Sequence, residues 1–140
     1  LPVTDAELED LVRRFNERLL PKPEWTHAAH LAVGLWHVCR YGRDDALPRL
    51  RAGITRLNES HGTVNSATGG YHETVTRAYV YLLDAFAARN PDNTVAERVT
   101  ALLNDPLADK KALLRFYSGA RLESVQARLG WAEPDLAPLG

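Results

Sequence analysis

Residues 26–40 read Thr-His-Ala-Ala-His-Leu-Ala-Val-Gly-Leu-Trp-His-Val-Cys-Arg. After the opening threonine only three histidines and one arginine are polar, so a helix here is apolar on nearly every side. Such a helix has no face to offer water. It must run through the middle of a bundle, and the rest of the chain must supply the helices that enclose it. Tyr41-Gly42 provides its stop.

The flanking segments have the patterns this requires. Thr4-Asp5-Ala6-Glu7 is a capping box, after which Leu8, Leu11, Val12, Phe15 and Leu19 recur at helical spacing until Pro21 and Pro23. A third helix is expected from Asp44 or Asp45, with Pro48 in its first turn and Leu47, Leu50, Ile54, Leu57 and His61 on one stripe before Gly62. Residues 62–70 form a polar, glycine-bearing loop. A fourth helix spans about 71–89, with His72, Val75, Thr76, Tyr79, Leu83 and Phe86 on one face. Thr94-Val95-Ala96-Glu97 opens a shorter fifth helix, and Asp105-Pro106 a sixth carrying Leu107, Leu113, Leu114 and Tyr117. A short helix over 124–129 precedes an extended tail, about 130–140, expected to pack along the bundle through Trp131 and Leu136. No alternating strand pattern of useful length appears. The expected fold is therefore an all-α, single-domain bundle of about five to six helices.

Charge and composition remove several function classes. Seventeen Lys+Arg against 18 Asp+Glu leave a net charge of -1, without the basic excess of a nucleic-acid or anionic-membrane binder. Cys39 is the single cysteine, so neither an intramolecular disulfide nor a cysteine zinc cluster can form. No run of about 18 apolar residues and no signal-peptide pattern occurs, which gives the expectation of a cytoplasmic protein.

The chemistry-bearing residues fall into two groups. In Glu24-Trp25-Thr26-His27-Ala28-Ala29-His30 the two histidines are three apart and so neighbours on a helix. They precede Leu31, Leu35 and Val38 on a stripe, which turns them inward. Glu24-x-x-His27 also has the spacing by which bundles supply carboxylate and imidazole to paired metals, although a second such pair is missing. In Gly69-Gly70-Tyr71-His72-Glu73-Thr74-Val75-Thr76, His72 lies near the start of an apolar helical face. A helix start disfavours imidazolium, and a neutral imidazole suits both a metal ligand and a general base. Were the two helix starts level, His27, His30 and His72 would converge as three ligands for a divalent transition metal, or as an acid–base pocket without one.

Each of these residues also has a plain structural reading. An imidazole on an apolar face is commonly a core group satisfied by hydrogen bonds. Glu73 caps the helix if Gly70 is the N-cap, and can pair with Arg77. His37, most of a helix beyond His27, is a packing or surface residue. His61 suits a helix C-terminus and also borders the polar loop. Glu24, Asn58, His61, Thr76, Tyr79 and Arg121 are candidates to line a pocket. Arg121 and Arg128 can take a carboxylate or phosphate bidentately, or else hold the acidic tail at Glu133 and Asp135.

The motifs Glu-Trp-Thr-His-x-x-His-Leu-x-Val and Gly-Gly-Tyr-His-Glu-Thr-x-Thr, with Tyr117-Ser118, Ala127-Arg128 and the closing Glu133-Pro134-Asp135-Leu136, resemble a family of small bacterial helical proteins of unknown function. The resemblance covers most of the chain. It implies that His27, His30, His72, Glu73 and Thr76 act as one functional unit, and it implies no particular reaction.

The functional expectation is a small-molecule enzyme with an interior histidine pocket, working by acid–base or metal-assisted chemistry as a lyase, cyclase or hydrolase. The alternatives are a non-catalytic ligand- or partner-binding module, and an accessory subunit of a biosynthetic enzyme. The expected partners are a small-molecule ligand and either a second copy of the chain or a partner protein.

Overall fold

The computed structural model describes residues 2–140, whose regular elements are all helical, with no strand among them. Four longer helices and one shorter one carry the core: α1 (Asp5–Asn16), α2 (His27–Tyr41), α3 (Arg43–Ser60), α4 (Glu73–Ala88) and α5 (Val95–Leu102). Two short ones, α6 (Gly119–Leu122) and α7 (Val125–Leu129), close the chain ahead of the tail. The apolar segment is the axis. α2 touches α1, α3, α4 and α5, and buries Leu31, Val33, Leu35 and Val38 among them. Each large side chain removed from water here is worth about 1.5–3 kcal/mol, so the apolar residues of α2 contribute substantially to the fold.

The boundaries follow local chemistry. Both capping boxes form, at Thr4/Glu7 and Thr94/Glu97. α3 starts at Arg43, directly after α2, because Gly42 at φ +81° reverses the chain in one residue. Pro48 consequently sits in the second turn rather than the first. The expected sixth helix is replaced by two 3₁₀ turns, Pro106–Ala108 and Ala112–Arg115. The Asp105 carboxylate accepts from the Leu107 amide and that of Asp109 from the Lys111 amide, diverting backbone donors that a continuous helix would need.

The tail is tied down by polar contacts. Tyr117, fully buried, donates its hydroxyl to the Ala132 carbonyl at 2.8 Å, and Thr74 Oγ1 bridges Gly130 and Ala132. Asp135 accepts from the Ser118 amide and hydroxyl. Trp131 packs against the core, whereas Leu136 is exposed.

Candidate functional site

The chain enters α2 through the turn Lys22–Glu24, and Thr26 caps the helix by accepting from the Ala29 amide. His27 is thereby the first helical residue and His30 one turn on. Both line a cleft of about 420 Å³ between α2, α3 and α4, walled by Leu31, Leu50, Val80 and Leu83 and by Tyr79 and Lys110. Gly34 is part of that wall for a steric reason: a Cβ there would meet Leu83 Cδ1 at 2.9 Å, so glycine sets how closely α2 and α4 approach. His30, Ile54, Val75 and Thr76 also line a second cavity of about 470 Å³, so the two spaces share one wall.

The two imidazoles are in different states. His30 Nδ1 lies 2.8 Å from the Thr26 carbonyl, which can only accept, so Nδ1 carries the hydrogen and Nε2 the lone pair. The residue is exposed at one edge, yet its ring stacks on Trp25 with centroids 3.6 Å apart. That desolvation, with a small contribution from neighbouring His27, lowers its pKa despite the favourable Thr26 carbonyl. His27 meets Tyr79 edge-on at 5.9 Å. Its Nε2 is buried and, among the described residues, is the one such side-chain nitrogen or oxygen without a hydrogen-bond partner. Burial, assisted by Lys110, lowers the His27 pKa. The backbones of Leu107 and Asp109 and the Asp109 charge pull the other way, although no contact to Nε2 meets hydrogen-bond geometry. An unpaired buried polar atom costs about 1–3 kcal/mol, and the other buried side-chain nitrogens and oxygens of the described residues avoid that cost.

His72 lines the second cavity together with His30 and His61, but it is not equivalent to the other two helix-start histidines. It is the N-cap of α4: the Val75 amide donates to Nδ1 at 3.2 Å, which leaves the hydrogen on Nε2 to donate to the Leu122 carbonyl at 2.6 Å. Both nitrogens are spent on backbone. Burial, with Arg128 nearby, keeps the ring's pKa low, as a cap that must accept requires. Among the described residues no group of three or more His, Cys, Asp or Glu side chains is placed to hold a metal ion. The divalent-metal expectation for His27, His30 and His72 is therefore corrected, because the third ligand has no free nitrogen.

The carboxylates are corrected as well. Glu73 is the first helical residue of α4 rather than a cap, and it faces a different cavity. There it takes a two-pronged ion pair from Arg51, Nε to Oε1 at 2.9 Å and Nη2 to Oε2 at 2.6 Å, and a hydrogen bond from the Tyr71 hydroxyl at 2.8 Å. Arg51 holds its pKa below the usual carboxylate range, so it cannot serve as an acid at neutral pH. Glu24 is exposed and pairs with Arg14. Its metal-ligand spacing to His27 is not used.

The remaining candidates divide in the same way. Thr76 lines both cavities, but its hydroxyl donates to the His72 carbonyl at 2.9 Å, leaving only acceptor capacity. Tyr79 faces the apolar cleft, with burial pushing its pKa up to about 12. His61 and Asn58 line the second cavity while serving the framework: His61 donates Nε2–H to the Leu20 carbonyl, and Asn58 bonds Asn65. Asn65 in turn holds the Thr55 carbonyl and the Tyr71 amide, which organises the loop before α4. Arg121 anchors the tail through the Glu133 carbonyl. His37 is buried, donating to the Val33 carbonyl. Two residues of consequence carried no sequence signal: Lys110, one of two adjacent lysines in a turn, and Arg51, distant in sequence from the glutamate it neutralises.

Comparison with protein-family models, with curated proteins and with solved structures finds no match to the chain. The functional reading rests on the geometry above.

Proposed function

We propose that the chain binds a small, mostly apolar molecule carrying one hydroxyl or N–H donor in the cleft between α2, α3 and α4. The observation that carries this is the buried Nε2 of His27, left without a partner on a residue that lines a mostly apolar cleft. A cleft of about 420 Å³ lies in the range of small-ligand sites, and its aliphatic walls favour an apolar body. The His30 lone pair supplies an acceptor for the donor group, and the low pKa of both imidazoles keeps them neutral at physiological pH.

Proton transfer is the second reading, and Lys110 on the same wall is what favours it. A ligand that develops negative charge would be held by the ammonium and would raise the His30 pKa, turning an acceptor into a base.

Phenol and toluene test the first reading, since they differ by one hydroxyl. Calorimetry should show saturable binding of both, tighter for phenol, with the preference lost in His27→Phe. Absence of binding, or a phenol preference untouched by His27→Phe and His30→Phe together, would overturn it. 4-Nitrophenol separates the two readings. Bound as the phenol it supports binding alone; bound as the phenolate at a pH where the free compound is neutral, it supports proton transfer.

A further inference from the structure

Behind the α4 start, and separate from the histidine cleft, lies a polar cavity of about 490 Å³ lined by Arg51, Glu73, Arg77, Arg128, Ser66 and Trp131. Its charges do not balance. Three guanidinium groups face one carboxylate, and that carboxylate is already saturated: both Glu73 oxygens are taken by Arg51, and Oε1 also by the Tyr71 hydroxyl. Neither Arg77 nor Arg128 has a carboxylate within ion-pair distance among the described residues.

Both arginines are nevertheless held in place. The Arg77 guanidinium lies 4.7 Å above the centre of the Trp131 ring, a contact that restrains the side chain while no carboxylate occupies its N–H groups. Arg128 donates one Nη1 hydrogen to the Gly70 carbonyl at 2.8 Å, which pins one side of the fork and spares the rest. Gly70 itself is fixed, because it stands at φ +75° and a Cβ there would collide with the Val64 carbonyl at 2.7 Å. Arginine forks fixed by an aromatic face and a carbonyl have lost little further freedom when they bind an oxyanion.

We propose that this cavity is a binding site for the dianionic phosphate of a small phosphate monoester, gripped by Arg77 and Arg128. The two unneutralised charges match a dianion, and guanidinium forks pair with phosphate oxygens two at a time. Leu129, 62% exposed at the rim, offers apolar surface to the organic part of the ester. This site stands independently of the histidine cleft, and either can fail without the other.

The test is calorimetric titration of the full chain with phenyl phosphate and, separately, with inorganic phosphate. Phenyl phosphate should saturate, and Arg77→Gln or Arg128→Gln should each weaken it by about tenfold or more, the loss of one charge-assisted pair. Arg56→Gln, in another cavity, should leave it unchanged. Binding should also weaken with added salt and as the ester takes up its second proton below about pH 6. Tighter binding of phenyl phosphate than of inorganic phosphate assigns the site to monoesters; equal binding overturns that assignment. Arg128→Lys keeps the charge and guards against a folding defect in Arg128→Gln, and should still weaken binding because the fork is gone. Failure of the wild-type chain to saturate, or unchanged affinity in folded Arg77→Gln and Arg128→Lys, would overturn the site.

Discussion

The starts of α2 and α4 hold the same residue type in almost the same place, and the two ends behave oppositely. At α4, His72 is the cap itself: one nitrogen accepts from Val75 and the other donates to Leu122. At α2 a threonine does the capping, and His27, one position on, is left with a buried nitrogen that bonds nothing. The difference teaches that a histidine at a helix start is structural or available according to who supplies the cap. Where Thr26 takes that task, the imidazoles are released to line a cleft.

The contrast can be broken at the backbone first. Gly70 sits ahead of α4 in a left-handed conformation with no room for a side chain. Gly70→Ala should cost about 3 kcal/mol, from the disfavoured backbone and overpacking together. Urea denaturation checks it, and a loss under about 1 kcal/mol would mean the loop before α4 is not fixed as described. Next in size is His72→Ala, which leaves the Val75 amide and Leu122 carbonyl without their partner and should cost about 1–3 kcal/mol. His72→Asn, a good N-cap, should recover part of that loss while the phenol affinity stays unchanged.

At α2 the sign should reverse. His27→Phe removes an unpaired buried nitrogen and keeps the ring, so stability should hold or rise by about 0.5–1 kcal/mol. A loss as large as that of His72→Ala would erase the distinction between the two helix starts.

A pH series sharpens the comparison further. The pKa values of His27, His30, His37 and His72 are all lowered from an ordinary value of 6.5, chiefly by burial. Below that value the unfolded chain takes up protons that the folded chain resists. The stabilising contribution is therefore complete above about pH 6.5 and is lost as pH falls from there toward the folded values. The urea midpoint should decline between pH 7 and 5, before the carboxylates begin to titrate, and decline less steeply in His27→Phe. A midpoint that is flat or rising over that interval would contradict histidines kept neutral in the folded chain.

Much of the fold was legible because it rests on local pattern. The all-round apolarity of 26–40 made α2 the axis, and two capping boxes marked helix starts that the structure keeps. The departures were local too: Asp105 and Asp109 capturing nearby amides where a sixth helix was expected. The site was legible only in part, and for a different reason. Placing His27 and His30 together needs just the three-residue spacing of one helix. The fate of His72 depends on a carbonyl 50 residues away, and that of Glu73 on a guanidinium 22 residues away. No periodicity encodes such partners. The three-histidine metal site failed there, since it assumed that residues sharing a helical position also share freedom of their nitrogens.

The most direct test is long-range ¹H–¹⁵N NMR of the histidine rings at pH 7, before and after adding phenol. The account predicts His30 with its hydrogen on Nδ1 and His72 with its hydrogen on Nε2, both neutral. Phenol should then shift the rings of His27 and His30 and leave that of His72 in place. A His72 ring that carries its hydrogen on Nδ1, or that responds to phenol while His27 and His30 do not, would contradict it.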